Sequence, residues 1–490
     1  MNSLEFIKKV SDIEEKYRDK VEKDYYRQNY HLMPKVGFMN DPNGLIEING
    51  EYHVFYQYNP FYPDEKHVCW GHFRSKDLIT WECLPVALSP LEWYDSHGCY
   101  SGSAVNNGGK LVLMYTGNVK DSKGERETYQ CLAQSSDGVE FKKPYINPVI
   151  KNQPEGYTRH FRDPKVWKHN DKWYMVLGAQ RNEEKGSTVL YCSDDLQNWS
   201  IVHEILGSNL SKFGFLGYMW ECPNLFTLDN KDVLLFCPQG VDKQGDLYNN
   251  IYQCGYVLGS LNYETGEFSC GDFLELDRGF EFYAPQVMKT SDGRTLLLGW
   301  MGLPDREVSP TIDNRWLHCL TIIRELKMKD NKVVQKPLRE LKKLRKGKVE
   351  YKNKLIKDTE TKLDGINGDS FELKCKFEFD KVNQFGIKMR YNSHKDEEIL
   401  MFYDAINEKI VFDRSKDGFH KEADAERKCF IKNNGKVKMH IFMDKSSVEI
   451  FINDGEETFT SRIYPSKDSK DIVFYSKGGE VRLSVEHWQI

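Results

Sequence analysis

The sequence predicts an all-β chain, a five-bladed β-propeller followed by a C-terminal antiparallel β-sandwich. Two observations point there. Short apolar runs recur about every sixty residues through the first two-thirds of the chain, and closely spaced alternating runs fill the rest. The length of 490 residues suits one large and one smaller domain.

The first set of runs is EYHVFYQYNP, KLVLMYTGN, KWYMVLGAQ, DVLLFCPQG and RTLLLGWMG. They start at Glu51, Lys110, Lys172, Asp232 and Arg294, at intervals of 59, 62, 60 and 62. A second set, HFRSKDLITWECL, CLAQSSDGVEFKK and LYCSDDLQNWSIV, is interleaved at intervals of 59 and 59. YVLGSLNYETGEF is a looser fourth copy. Each run is aromatic or β-branched and is bounded by Gly, Asn or Asp, as strands and their turns require. A single blade cannot bury both faces, but five packed around an axis can, and they leave a central pocket. A β-sandwich with accidental spacing is the alternative, and the regularity of four successive intervals speaks against it.

The propeller is expected over 30–341. Residues 1–29 are expected to form a charged helical extension with Phe6, Val10 and Ile13 as its apolar face. Residues 342–364 are read as a solvated basic linker. From 365 to 490, nine alternating runs from SFELKCKFEF to VRLSVEHWQI predict the sandwich, with Asn453-Asp454-Gly455 as a hairpin turn.

Composition excludes several function classes. The net charge of −5 argues against a global nucleic-acid surface, and the 13% aromatic content against disorder. The aromatics suit stacking on sugars, although all-β chains are rich in them anyway. None of the 12 cysteines forms a CxxC pair, and no HExxH occurs among the 13 histidines. Neither a metal nor another cofactor is expected. No apolar run is long enough for a membrane span, and the first twenty residues lack a signal-peptide core. The expected setting is therefore the cytoplasm, with reduced thiols.

Three acids stand in turn motifs shortly before a blade run. Asp41 lies in MNDPNG, Asp163 in FRDPKV and Glu221 in WECPNLF, preceding their runs by ten, nine and eleven residues. Proline restricts the backbone beside each motif, which suits a carboxylate that must hold its position. Alone, Asp41 also reads as a turn opened by an Asx cap, Asp163 as a structural turn with a surface salt bridge, and Glu221 as an edge residue pointing outward. Together, blade symmetry would bring them to one rim of one pocket. Converging carboxylates without metal ligands suit glycoside chemistry, with one nucleophile, one acid/base and one stabiliser of a cation-like transition state. Glu221, flanked by Met219, Trp220 and Cys222, is expected to be desolvated, with its pKa raised as a proton donor requires.

MNDPNG, FRDPKV and ECPNLF, together with YSGSAV, WGHFRSKDLITW and FYAPQ, resemble the fructofuranosidases of glycoside hydrolase family 32 from His31 to the C-terminus. The forms YMWECPNLF and GFEFYAPQ are more similar to the bacterial members that cleave sucrose 6-phosphate than to secreted invertases. The resemblance implies a propeller and sandwich, and retaining hydrolysis that releases β-fructofuranosyl units through a covalent intermediate. Asp41 would be the nucleophile, ionised at low pH, Glu221 the acid/base and Asp163 the transition-state stabiliser. Asn40, Gln57, Trp70, Ser101 and Arg162 would line the fructose subsite, with Tyr100 as an aromatic wall and Trp300 closing one side. Phe38 and Tyr100 stand where the family usually has Trp and Phe. The implied partner is a small sugar, sucrose 6-phosphate or sucrose, with no nucleic acid or membrane. Fructan hydrolysis, fructosyl transfer and non-catalytic sugar binding remain alternatives. Arg159, His160 and Lys165 are near enough to the second motif to meet a phosphate, or are solvated loop charges. The sandwich braces the propeller by default, and homodimerisation through it stays open.

Overall fold

The structure, a computed structural model, describes residues 1–208, 214–420 and 425–490. Among these residues the first two-thirds form five antiparallel blades. The first is Gly37–Ile48, Glu51–Asn59, Cys69–Ser75 and Trp81–Leu88, and the second is Cys99–Asn107, Lys110–Lys120 and Arg126–Ser135. The third is Tyr157–His169, Lys172–Arg181, Lys185–Ser193 and Ser200–Gly207. The fourth runs from Met219–Leu228 through Lys231–Gln239 and Gly255–Leu261 to Phe268–Cys270. The fifth is Tyr283–Lys289, Thr295–Met301, Arg324–Lys329 and Lys332–Pro337. The first strand of each blade contacts the first strand of the next, and the fifth returns to the first, so the ring closes. A stitch that sequence periodicity did not reveal helps close it: Trp316–Leu317, inserted within blade five, pairs in parallel with Gly37 and Phe38.

The recurring runs are the second strands. Their alternate faces pack between blades, as Leu111, Leu113 and Tyr115 do on one side of Lys110–Lys120 and Val112 and Met114 do on the other. Close approach between blades depends on glycine at particular points. A Cβ on Gly178 would meet the Trp220 carbonyl oxygen at 2.1 Å, so a side chain there would push away the strand that carries Glu221.

The helix Ser3–Glu22 begins with a reciprocal capping box between Asn2 and Glu5. Phe6 and Val10 are buried against the first blade, where the Phe6 and Phe61 rings meet edge to face. No helix among the described residues is long and apolar enough to cross a membrane.

The C-terminal third is two six-stranded antiparallel sheets around a core that includes Phe371, Phe377, Phe385, Ile399, Ile441 and Phe474. Two of its strands lie in the segment read as a linker, which is a correction. Lys346–Lys357 and Glu360–Asn367 are the outer strands of the two sheets. Their lysines made them look like solvated chain, but charge on an exposed edge is how a sheet discourages pairing with another molecule. Only Ile356 of the first is buried. Glu426–Phe430, the outer strand at the other side of the second sheet, also lacks a conspicuous apolar run.

Propeller and sandwich are joined by buried ion pairs. Arg324, held within the propeller by Asp277 at 3.0 Å, donates across to Glu449 at 2.6 Å, and Arg414 donates to Glu281 at 2.7 Å. The ring of His31 bridges Asp444 at 2.8 Å and Glu449 at 3.1 Å.

Candidate active site

The five innermost strands are each interrupted by a β-bulge at one shared position. Its occupants are Asp41-Pro42, Ser101-Gly102, Asp163-Pro164, Cys222-Pro223 and Ala284-Pro285. Asp163, Cys222 and Ala284 have φ of +66°, +49° and +44°, left-handed values that non-glycine residues seldom adopt. Blade two has glycine where the others have proline, because a Cβ on Gly102 would meet the Met114 carbonyl oxygen at 1.9 Å. The bulge turns two successive side chains toward the axis instead of one. The acids therefore do not share one register, as their similar spacing suggested. Asp41 and Asp163 occupy the shared position, whereas Glu221 sits one place earlier, with Asn40, Tyr100, Arg162 and Tyr283.

Two residues further along, a lower ring ties neighbouring blades together. Asn43 accepts from the Gly102 N–H at 3.0 Å, Ser103 donates to the Pro164 carbonyl at 2.8 Å, and Asn224 donates to the Pro285 carbonyl at 2.9 Å. Lys165, the blade-three member, donates to Val287 O at 2.6 Å and Gln286 Oε1 at 3.2 Å. Burial pulls its pKa down to about 7. It lines the hollow on the other side of this ring, not the funnel that holds the acids.

Above the ring lies a funnel of about 660 Å³ whose walls include Asp41, Asp163, Glu221, Arg162, Tyr283 and Trp300. Asp41 Oδ2 accepts from Ser101 Oγ at 2.5 Å, and Oδ1 accepts from Asn40 Nδ2 at 3.0 Å. Gln57 orders this pair, accepting from Asn40 at 2.7 Å and donating to Ser101 at 2.7 Å. Cys222 joins all three acid segments. Its N–H donates to Asp163 at 3.0 Å, its thiol lies 3.5 Å from Asp41, and Glu221 precedes it. Glu221 Oε1 accepts from Arg162 Nη2 at 2.5 Å, and Oε2 accepts from Gln239 and Tyr283 OH, each at 2.7 Å.

Asn40, Gln57, Tyr100, Arg162 and Trp300 line the funnel with the acids, whereas Ser101 lies beneath Asp41. Trp70 differs from expectation. It is fully buried behind the wall, where its indole N–H donates to the Tyr100 carbonyl at 3.1 Å. Phe38 keeps an aromatic wall, packed against Tyr62, Trp300 and His318. Gln239 and Tyr283 were missed, though both were readable. Gln239 closes the second strand of its blade, as Asn59 closes that of blade one, and Tyr283 is the blade-five equivalent of Glu221.

The electrostatics reverse the expected pKa order. Desolvation, reinforced by the charge of Glu221 and only partly offset by Ser101 and Asn40, raises Asp41 to about 6. Desolvation also dominates at Asp163, which rises to about 7 despite Arg162 at 3.8 Å. Burial alone would raise Glu221 too, but Arg162, with Tyr283 and Arg126 adding to it, takes Glu221 below the ordinary carboxylate value. Burial does desolvate Glu221, as anticipated, but Arg162 of the neighbouring blade, Tyr283 and Arg126 together outweigh it.

A hollow of about 740 Å³ between propeller and sandwich is larger, but lysines dominate its charge and it gathers no comparable set of hydrogen-bonded acids. Among the described residues no group of three side chains is suited to hold a metal ion.

Comparison with known proteins agrees with this architecture. Residues 31–337 match the glycosyl hydrolases family 32 N-terminal domain, and 340–489 match the family's C-terminal domain. The sucrose-6-phosphate hydrolase of Bacillus subtilis (strain 168) is 42% identical over 484 residues, 95% of each chain. That of Salmonella typhimurium is 42% identical over 447 residues, 90% of each. Among solved structures, sucrose-6-phosphate hydrolase from Lactobacillus gasseri superposes with a TM-score of 0.89 at 33% identity, over 98% of this chain and 96% of that one. The family 32 β-fructofuranosidase of Bombyx mori gives 0.86 at 34% identity, over 100% and 99%. A variant of it was solved in complex with sucrose. With both family domains matched across nearly its whole length and the three acids gathered in the propeller funnel, the chain belongs to glycoside hydrolase family 32.

Proposed function

We propose that the chain hydrolyses sucrose 6-phosphate, and sucrose less efficiently, to release fructose with retention of configuration. The observation that carries this reading is the asymmetric solvation of two acids in one funnel. Asp41 is held by the neutral donors Ser101 and Asn40, and Glu221 by donors that include a guanidinium. A carboxylate with weak, neutral support is a nucleophile kept reactive, and one in a charged cradle can gain and lose a proton in place.

In the first step Asp41 attacks C2 of the fructosyl unit. The bond from C2 to the glycosidic oxygen breaks, and the oxygen takes the proton of Glu221 and leaves with the glucosyl group. A fructosyl ester on Asp41 remains. In the second step Glu221 takes a proton from water, the water oxygen attacks C2, and Asp41 leaves as a carboxylate. Asp163 accepts hydrogen bonds from fructose hydroxyls, and its charge stabilises the oxocarbenium-like transition state.

Arg162, Tyr283 and Arg126 hold Glu221 below the ordinary carboxylate value. A bound sugar offers oxygens that compete for Arg162, and it excludes water. Both changes shift Glu221 upward, toward the protonated form the first step requires. A phosphorylated disaccharide cannot cross a bilayer unaided, and none of the cysteines among the described residues is in a disulfide, which together favour a cytoplasmic site of action.

The test is a side-by-side kinetic comparison of sucrose 6-phosphate and sucrose, with nuclear magnetic resonance of the first fructose released. Fructose appearing as the β-anomer, with higher kcat/KM on the phosphorylated sugar, is expected. Release of the α-anomer first would overturn the retaining mechanism, and absence of fructose from either substrate would overturn the activity.

A further inference from the structure

The funnel contains an arginine that the chemistry above does not use. Arg126 opens the strand Arg126–Ser135 of blade two and stands half-buried in the funnel wall, its guanidinium 5.4 Å above the Tyr100 ring. Neighbouring arginines have counter-ions: Arg162 pairs with Glu221 at 2.5 Å, Arg159 with Glu127 at 2.5 Å and Arg181 with Glu204 at 2.9 Å. Arg126 has none. Among the described residues no carboxylate lies within 4.0 Å of it and no protein acceptor takes its protons. Removing a guanidinium even partly from water without a partner is costly, so an uncompensated one in a binding site points to an anion supplied by the ligand.

His160 adds a donor of fixed sense. Its Nδ1 lies 3.0 Å from Arg162 Nη1, and because arginine can only donate, Nδ1 accepts and Nε2 carries the proton. Burial, with Arg162 and Arg126 nearby, holds its pKa near 4, so the ring is neutral at physiological pH. Among the described residues this N–H has no acceptor.

The rest of the mouth has the opposite sign, and its acids are engaged. Asp305 accepts from Tyr252 at 2.8 Å, Asp64 pairs with Arg315 at 2.7 Å, and Glu65 pairs with Lys9 and His67 at 3.5 and 3.1 Å. Lys66 follows Asp64 and Glu65 in the chain and is exposed, so water solvates its charge. The partly buried cation without a carboxylate partner is therefore at blade two, beside His160 of blade three. That is also the side of Glu221, the residue assigned to protonate the departing oxygen, since His160 bonds Arg162 and Arg162 bonds Glu221 along the wall that holds Arg126.

We propose that Arg126, assisted by His160 Nε2–H, binds the phosphoryl group carried by the leaving glucosyl unit and so confers preference for the phosphorylated disaccharide. A guanidinium fork matches two phosphoryl oxygens at once, and an ammonium on the same strand would not. Of the three basic residues near the second motif, His160 alone serves. Arg159 is neutralised by Glu127, and Lys165 lies below the lower ring. The proposal rests on the reading of the three acids as a fructose-releasing site.

The test is steady-state kinetics of wild type, Arg126→Gln and Arg126→Lys on sucrose 6-phosphate and sucrose. Inhibition of sucrose cleavage by glucose 6-phosphate and by glucose is measured alongside. For Arg126→Gln, kcat/KM on sucrose 6-phosphate should fall about 10- to 100-fold, mainly through KM, and at least about tenfold further than on sucrose. Arg126→Lys should fall between the two. Glucose 6-phosphate should inhibit the wild type more strongly than glucose does, and Arg126→Gln should erase that difference. An equal loss on both substrates would make Arg126 a structural residue and overturn the proposal. So would a wild type indifferent to the phosphate, while leaving the glycosidase reading intact. A wild type that releases fructose from neither substrate would overturn that reading and, with it, the proposal.

Discussion

Arg324, wholly buried between propeller and sandwich, has its guanidinium divided between Asp277 and Glu449 and is capped by Gln335 and Thr460. Asp163, 6% exposed in the funnel, has one guanidinium nitrogen at 3.8 Å and shares its surroundings with two other acids. The interface thus gives its buried charges close, well-hydrogen-bonded partners, and the funnel leaves several of its charges short of them. Matched charge that is fully hydrogen-bonded holds two domains in one arrangement, although a well-packed apolar contact could do so as stably. Unmatched charge is a standing cost that a ligand can relieve. In the funnel it falls on the groups that would move protons, form a bond or meet an anion.

The sharpest way to break the comparison is to remove a charge from each cluster. Asp41→Asn should lower kcat on the order of 10⁴-fold or more. Its melting temperature should hold or rise, because a desolvated acid has been replaced by a neutral isostere. A variant retaining near-normal turnover would show that Asp41 is not the nucleophile. Arg324→Met should do the reverse. It leaves Glu449 and Asp277 buried without their main partner and should cost about 3–5 kcal/mol of stability by denaturant titration. At temperatures where the variant is folded, its kcat should stay within a few-fold of wild type.

The two clusters should also respond to pH over different ranges. Asp41 and Asp163, raised to about 6 and about 7, keep protons that the unfolded chain has already released, so their contribution to stability declines as pH rises from about 4 to 7. Glu281 is buried, which alone would raise it, but Arg414 and Arg462 lower it to about 2. Its stabilisation is complete above about 4.5 and is lost as pH falls toward 2. His31, despite burial, is raised to about 9 by Asp444 and Glu449, so its contribution is complete below about 6.5 and lost between there and 9. Denaturant midpoints against pH check all three. Asp41→Asn should flatten the dependence between about 4 and 6 and leave the limb above 6.5 unchanged. The smallest effect expected is that of Ser101→Ala, which removes one hydrogen bond to Asp41. It should reduce kcat/KM about tenfold and raise the acidic limb of the rate profile.

The blade count was legible because the second strands carry apolar residues on both faces and repeat at nearly constant spacing. The acids were legible for a related reason: a residue that must face the axis has to recur at one phase of that repeat, beside a proline or glycine that shapes the bulge. Glu221 was placed one position wrong because a bulge admits two consecutive side chains to the pocket, and spacing does not say which of them a blade uses. The strand Lys346–Lys357 was missed because an edge strand with one buried residue has no alternation to read.

What the residues alone determined is therefore periodic: the blades, the turn motifs beside proline and the three acids near one rim. What tertiary structure decided depends on neighbours remote in the chain. Arg162 comes from one blade and Glu221 from the next, and their 2.5 Å contact, with Tyr283 and Arg126, turns the shift of Glu221 downward against its burial. Arg126 lies 36 positions before Arg162 and 95 before Glu221, and its lack of a counter-ion became visible only when the blades closed around it. Electrostatic energy falls with distance in space and not along the chain, so charges that a linear reading treats as separate become one site on folding.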